Sequence, residues 1–255
     1  MKKKTMIIAL TTPLVISASL AWGATRITAL PYTITTSGDY YITSNLTSTG
    51  NGILVNASNV SIDLQGQTIS GTNHNGDAIY INGSTTNLTN LEIMNGTVTG
   101  FNTGISFYGD GANTARVINV KVLDISGWDT LALGPNSLIK DCTIGNNNDG
   151  PSLVGQGSMV TGSISFNNQG YGFTTSEGAT IIGNTVYGNH MDGISAGTGS
   201  TVKNNTAYGN YRYGITLTDY NMVDGNSSYN NNQDNNGYTN ISSCTTCVFG
   251  NNVAP

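Results

Sequence analysis

Ile181-Ile182-Gly183-Asn184-Thr185-Val186-Tyr187-Gly188-Asn189 is answered, at a step of 21, by Val202-Lys203-Asn204-Asn205-Thr206-Ala207-Tyr208-Gly209-Asn210. Apolar, turn-forming, aromatic and amide positions coincide, and the coincidence extends in both directions. Ile118, Ile139, Val160, Ile181, Val202 and Val223 form one series at this step. Ile144, Ser165, Val186, Ala207 and Ser228 form a second, and Asn147, Asn168, Asn189, Asn210, Asn231 and Asn252 a third. Further upstream the step is 26: Ile53, Ile79, Ile105 and Leu131 each open an apolar run, preceded by Gly52, Ala78, Gly104 and Thr130. The shorter step then resumes through Ser152, Phe173, Ile194 and Ile215, and Ile241 lies 26 further on. A fixed period of this length marks a stack of coils. The five extra residues of the longer coils belong in turns, with 71–77 and 96–103 the natural places.

Within a coil the apolar runs are short and alternate, as in Val60-Ser61-Ile62-Asp63-Leu64 and Ile215-Thr216-Leu217. That is the period of a strand and not of a helix. Identical positions then lie above one another, so inward residues form apolar columns, and asparagines at a turn hydrogen-bond to their counterparts one coil along. Propeller blades need about 40 to 50 residues per repeat and sandwiches have no strict period, so both fit poorly. The sequence therefore predicts an all-β, single-domain parallel β-helix, a solenoid with coils of about 21 to 26 residues, right-handed because parallel crossovers are.

Composition agrees. Asn numbers 34 and Gly 33, and glutamate occurs only at Glu92 and Glu177, which disfavours helix. Met1 to Lys4 is basic, Met6 to Leu20 is apolar, and small residues stand at Ser19 and Ala21. This order reads as a secretory signal peptide over residues 1–21, leaving a mature domain of 22–255 that is secreted or periplasmic. No second apolar segment is long enough to span a bilayer, so no membrane insertion is expected after signal removal. Loss of Lys2, Lys3 and Lys4 turns 9 basic against 14 acidic residues into 6 against 14, a mature charge of −8, which argues against nucleic acid as a partner. A monomer is expected. Cys244 and Cys247 are spaced to close a small disulfide loop in an oxidising compartment, and Cys142 reads as a buried free thiol.

The segments Pro31-Tyr32-Thr33-Ile34, Gly38-Asp39-Tyr40-Tyr41-Ile42, Asn45-Leu46, Gly52-Ile53 and Asn59 to Gly66 resemble the opening of bacterial right-handed β-helix repeat proteins of the pectate-lyase-like superfamily. Later units, such as Gly193-Ile194 through Asn204-Asn205-Thr206 to Gly209-Asn210, are similar to their parallel β-helix repeats. The resemblance implies the fold and an extracellular polysaccharide or other glycan as partner. It does not select an activity, since the scaffold hosts lyases, hydrolases, epimerases and adhesins. The Asn-Thr-Asp and Gly-His-Gly motifs of polygalacturonases, the Asp-Pro-His-Glu of alginate epimerases and the Arg-x-Pro-x-x-Arg of pectate lyases are absent.

Folding the 21-residue period onto itself brings His190 over Tyr211, Met191 over Arg212 and Asp192 over Tyr213. In a divergent lyase His190 or Tyr211 is the candidate base, Arg212 the clamp for developing negative charge and Asp192 the orienting group. The plainer alternative is an exposed turn with an Asp192–Arg212 surface ion pair. A second candidate surface is the aromatic series Phe166, Tyr187, Tyr208 and Tyr229, which alternation turns outward, either to stack on successive sugars or only to brace the sheet. The two readings separate a polysaccharide-acting enzyme from a non-catalytic glycan-binding or adhesive surface solenoid. An ice-binding face would draw on Thr174, Ser195 and Thr216, but it needs two regular outward Thr files and only Thr216-Leu217-Thr218 has that form. No cofactor is expected: Asp77, Asp129 and Asp149 approach one edge, yet no aspartate-dense loop supplies the six to eight oxygens that calcium takes.

Overall fold

The computed structural model describes residues 23–82, 87–108, 113–153 and 155–255. The signal-peptide segment 1–21 lies outside them. Every regular element among the described residues is a β-strand, and the pairs of strands run parallel. A coil of the second half contains three three-residue strands: Ile194–Ala196 on a first face, Thr201–Lys203 on a second and Thr206–Tyr208 on a third. First-face strands form a nine-stranded sheet. The second and third faces merge into one of 18 strands, because Thr89–Thr99 and Asn113–Leu123 run across both, bent at Asn95 and Asn119 where φ is positive.

The alternation seen in sequence sets which side chains go in. Ile139, Val160, Ile181, Val202 and Val223 pair in register on the second face and are fully buried. Ile144, Ser165, Val186, Ala207 and Ser228 do the same on the third. On the first face Ile53, Ile79, Ile105 and Leu131 stack at the expected step of 26. Thr174, Ser195 and Thr216 share one column on the same face.

Each of the three corners turns by the same device. A residue in the left-handed region is followed by a small or amide side chain that points inward. In the second half the left-handed positions are Asn136, Gly157, Gly178, Gly199 and Tyr220 at the first corner, Asp141, Gly162, Gly183, Asn204 and Gly225 at the second, and Asn146, Asn167, Gly188, Gly209 and Asn230 at the third. Gly, Asn and Asp dominate because they tolerate this conformation at least cost.

The inward amides form two ladders. At the third corner each Nδ2 donates to the next Oδ1 from Asn147 through Asn168, Asn189 and Asn210 to Asn231, at 2.9 to 3.0 Å. At the second corner Asn184, Asn205, Asn226 and Asn252 do likewise. This corrects the expected single series. Asn252 caps the second ladder, while Asn231 donates to Asn240 at 3.0 Å. The reason is that the step from Asn226 to Asn252 is 26, against 21 for the rungs before it. Buried amides are tolerated in the core because both their donors and acceptors are matched.

Other phases shift for the same reason. Val117, and not Ile118, aligns with Ile139, so Ile118 lies in the outward column with Lys140. On the first face Ser152 aligns with Ala132 and Thr174, which leaves buried Pro151 in the slot expected for Ser152. Coil length in the first half is not uniform either: Val60 pairs with Leu91 and Leu91 with Ala115, and the neighbouring hydrogen bonds, from Asn90 Nδ2 to Asn59 Oδ1 and from the Asn90 backbone N–H to Thr114 Oγ1, span the same steps, 31 and 24. Residues 72–76 are a turn as expected, whereas 96–99 belong to the long strand Thr89–Thr99.

Cys142 is a buried free thiol below the second ladder, its backbone N–H donating to Ser163 Oγ at 3.1 Å. Burial pushes its pKa up to about 11. Cys244 and Cys247 are joined by a disulfide, with Cα atoms 5.5 Å apart. No helix among the described residues is long and apolar enough to cross a membrane.

Candidate functional site

The third corner carries the site. Directly behind the ladder amides the chain places one side chain per coil, Asn148, Gln169, His190 and Tyr211, and Gln233, two residues past Asn231, extends the lining. The backbone amides of Gln169, His190 and Tyr211 are fixed by 2.9 Å hydrogen bonds to the carbonyls of Asn147, Asn168 and Asn189 one coil back. Opposite this column run the left-handed residues Asn146, Asn167, Gly188 and Gly209. Between the two lies an open cleft of about 770 Å³, lined upstream by Asp124, Ile125 and Ser126. Gly188 and Gly209 leave the cleft without side chains at its centre, and a Cβ at Gly188 would come within 2.5 Å of Asn167 Oδ1.

The structure divides the corner cluster expected from the period. His190 and Tyr211 lie ring to ring at 4.3 Å, tilted by 32°, and both line the cleft. Asp192 is buried instead, its Oδ1 accepting the Tyr213 N–H at 3.2 Å. Arg212 lies over the ring of Tyr238, 6.0 Å from the centroid, and Tyr238 meets Tyr213 edge-on at 4.9 Å. The expected Asp192–Arg212 ion pair is therefore not formed: Asp192 turns inward to satisfy the next coil's backbone, while Arg212 follows the longer final loop. Ion pairs among the described residues are Arg116–Glu92, Lys203–Asp224, Lys140–Asp141 and, when the histidine is protonated, His74–Asp124.

The aromatic series flanks the same corner, since Tyr187 and Tyr208 directly precede Gly188 and Gly209. Its rings stack at 5.4, 5.0 and 5.4 Å, within 15° of parallel. Phe166 lies over Gly145, where a Cβ would come within 2.4 Å of the ring. The faces of Tyr187 and Tyr208 are covered by their neighbours, so solvent meets ring edges and phenol hydroxyls. Burial, with Tyr187 and Tyr229 alongside, raises the pKa of the Tyr208 phenol.

Sequence reasoning missed Asn148, Gln169 and Gln233. Asn148 and Gln169 carry the same signal as His190 and Tyr211, a step of 21 immediately behind the ladder asparagine. No group of three potential metal-ligating His, Cys, Asp or Glu side chains occurs among the described residues. Asp77 aligns with Thr103, a coil short of Asp129. The half-buried Asp149 has its pKa raised, first by burial and then by Asp129.

The family model described as "Right handed beta helix region" matches residues 103–254. No curated protein sequence matches. Among solved structures, the chain is similar to the A-module of the Azotobacter vinelandii mannuronan C-5 epimerase AlgE4, at 15% identity and a TM-score of 0.54, over 85% of this chain and 68% of that one. The A-module of AlgE6 from the same organism gives 14% identity and a TM-score of 0.51, over 84% and 71%. ORF18 of Geobacillus virus E2 gives 14% identity and a TM-score of 0.60, over 86% of this chain and 56% of that one, so the chain spans little more than half of that viral protein. At these identities the likeness is one of fold.

Proposed function

Since the chain belongs to the right-handed β-helix family, we propose that it is an exported, monomeric solenoid that binds an extracellular polysaccharide along the third corner. One observation carries this reading: the cleft presents an amide, imidazole or phenol once per coil, in a line parallel to the solenoid axis. Adjacent coils are about 4.8 Å apart, so the line offers hydrogen-bond donors and acceptors at intervals suited to an extended chain. The mannuronan named for two of its fold neighbours is consistent with a glycan role.

The arrangement supports binding over β-elimination. A lyase needs a base and a charge-stabilising cation at the same reacting centre. His190 and Tyr211 line the cleft, but Arg212 is held against Tyr238 away from it.

The test is retention of the mature protein on a panel of insoluble polysaccharides, with release of unsaturated product followed in parallel. His190→Ala with Tyr211→Ala should weaken retention and Arg212→Ala should leave it unchanged, with no unsaturated product in any sample. Product that disappears in Arg212→Ala would instead establish a lyase. Equal retention by Tyr187→Ala/Tyr208→Ala and the parent protein would limit the aromatic column to bracing the sheet, and loss would extend the binding surface across it.

A further inference from the structure

We infer that the cleft takes an uncharged, hydroxyl-rich polysaccharide, anchored at its upstream mouth by the indole of Trp128; this rests on reading the cleft as a glycan-binding surface. Two independent observations carry it. The first is the chemistry of the lining. Its side chains are dominated by the amides of Asn146, Asn148, Asn167, Gln169 and Gln233, and the carboxylate among them is Asp124, at the upstream end. No lysine or arginine lines the cleft among the described residues. The cations of ion pairs are engaged elsewhere, and Arg212 rests on Tyr238. A polyuronate brings one negative charge per sugar, and with no lysine or arginine in the lining its carboxylates would exchange water for neutral donors that do not offset the charge. Neutral sugars ask only for the donors and acceptors that amides supply in pairs.

The second observation is Trp128. At 78% relative exposure it is the most exposed large apolar residue among those described. It stands two residues beyond Ser126, the last of the residues that line the upstream end of the cleft, and lies just outside that lining. Unlike the rings of Tyr187 and Tyr208, its indole is not covered by a stack. Such a ring offers a flat apolar surface to the C–H face of a sugar together with an N–H donor at its edge.

The experiment is a titration of the mature protein with xyloglucan and galactomannan, and separately with polygalacturonate and polymannuronate, followed by calorimetry and tryptophan emission at about 0.02 and 0.5 M NaCl. A neutral polymer should bind with an affinity indifferent to salt and shift the emission to shorter wavelength. Trp128→Ala should lose the shift and weaken calorimetric binding about five- to tenfold, and Trp128→Phe should recover much of the affinity. Circular dichroism confirms that both variants are folded. Tighter, salt-sensitive binding of a polyuronate would overturn the inference while leaving a glycan-binding cleft in place. Neutral binding unaltered by Trp128→Ala would overturn the anchor. Failure of every polymer to bind would remove the glycan reading itself.

Discussion

Replacing Asn168 by Ala removes a middle rung of the third-corner ladder, and the structure gives the size of the loss. The side chain is fully buried and makes four hydrogen bonds. Its Nδ2 donates to Ser165 Oγ and Asn189 Oδ1, both at 3.0 Å, and its Oδ1 accepts from the Asn147 backbone N–H at 3.2 Å and from Asn147 Nδ2 at 3.0 Å. Some partners have alternatives. Ser165 Oγ still donates to the Gly172 carbonyl, Asn147 Nδ2 to the Val122 carbonyl, and Asn189 Oδ1 still receives the Asn168 N–H. The Asn147 N–H has no other acceptor in this network. Four bonds at roughly 1 kcal/mol each, with one buried N–H orphaned, give a loss of about 3 to 4 kcal/mol. For a chain of this size that corresponds to a fall in Tm of about 6 to 16 °C. The control is the next residue: exposed Gln169→Ala should stay within about 0.5 kcal/mol. Thermal unfolding by circular dichroism reads both. Equal losses, or a cost below about 1 kcal/mol for Asn168→Ala, would refute the idea that the amide ladder holds the corner together.

Three further outcomes are expected. Thiol titration of the denatured, unreduced protein should find one free thiol, Cys142, and the native protein none, because burial both shields that thiol and raises its pKa to about 11; three thiols after denaturation would mean that Cys244 and Cys247 are not bridged. Tyr187, sandwiched between two rings, should cost about 1 to 3 kcal/mol on replacement by Ala, and Tyr229, with one stacked neighbour, about half as much; urea unfolding that ranks them the other way would show that stacking does not set the cost. Asp149 has a raised pKa in the folded state, so its contribution is fully present below the unfolded value of about 3.9 and is lost as pH rises through the folded one. Asp149→Asn should therefore raise Tm relative to the parent at about pH 7 and not at about pH 3.5, and a difference between the two proteins that does not change with pH would contradict this.

How far the sequence reaches depends on coil length. Where successive coils are equal, translation by one period superposes residues, so the columns through Ile139 and Val202, the ladder from Asn147 to Asn231, the aromatic stack and the His190–Tyr211 contact are all legible by counting. Where a coil gains or loses residues, counting slips: it misplaces Ile118, Ser152 and Asn252 because the steps there are 22, 20 and 26. The cleft is only partly legible. Asn148 and Gln169 share the period of His190, but an amide on a polar surface carries no chemical signature by itself, and it becomes part of a site only when it stands in a line of neighbours across from the column of Asn146, Asn167, Gly188 and Gly209. Direction at the corner belongs to the tertiary structure alone. Strict alternation ends where the backbone enters the left-handed region, so the period can bring Asp192 and Arg212 together along the chain but cannot show that one turns into the core to accept a backbone N–H while the other swings out onto Tyr238. The sequence by itself determined a repeating parallel stack, because apolar alternation and ladder amides recur wherever coils match. Only the packed corner decided which polar side chains face one another across a cleft, because that depends on turn geometry and on the length of each coil, which no single period encodes.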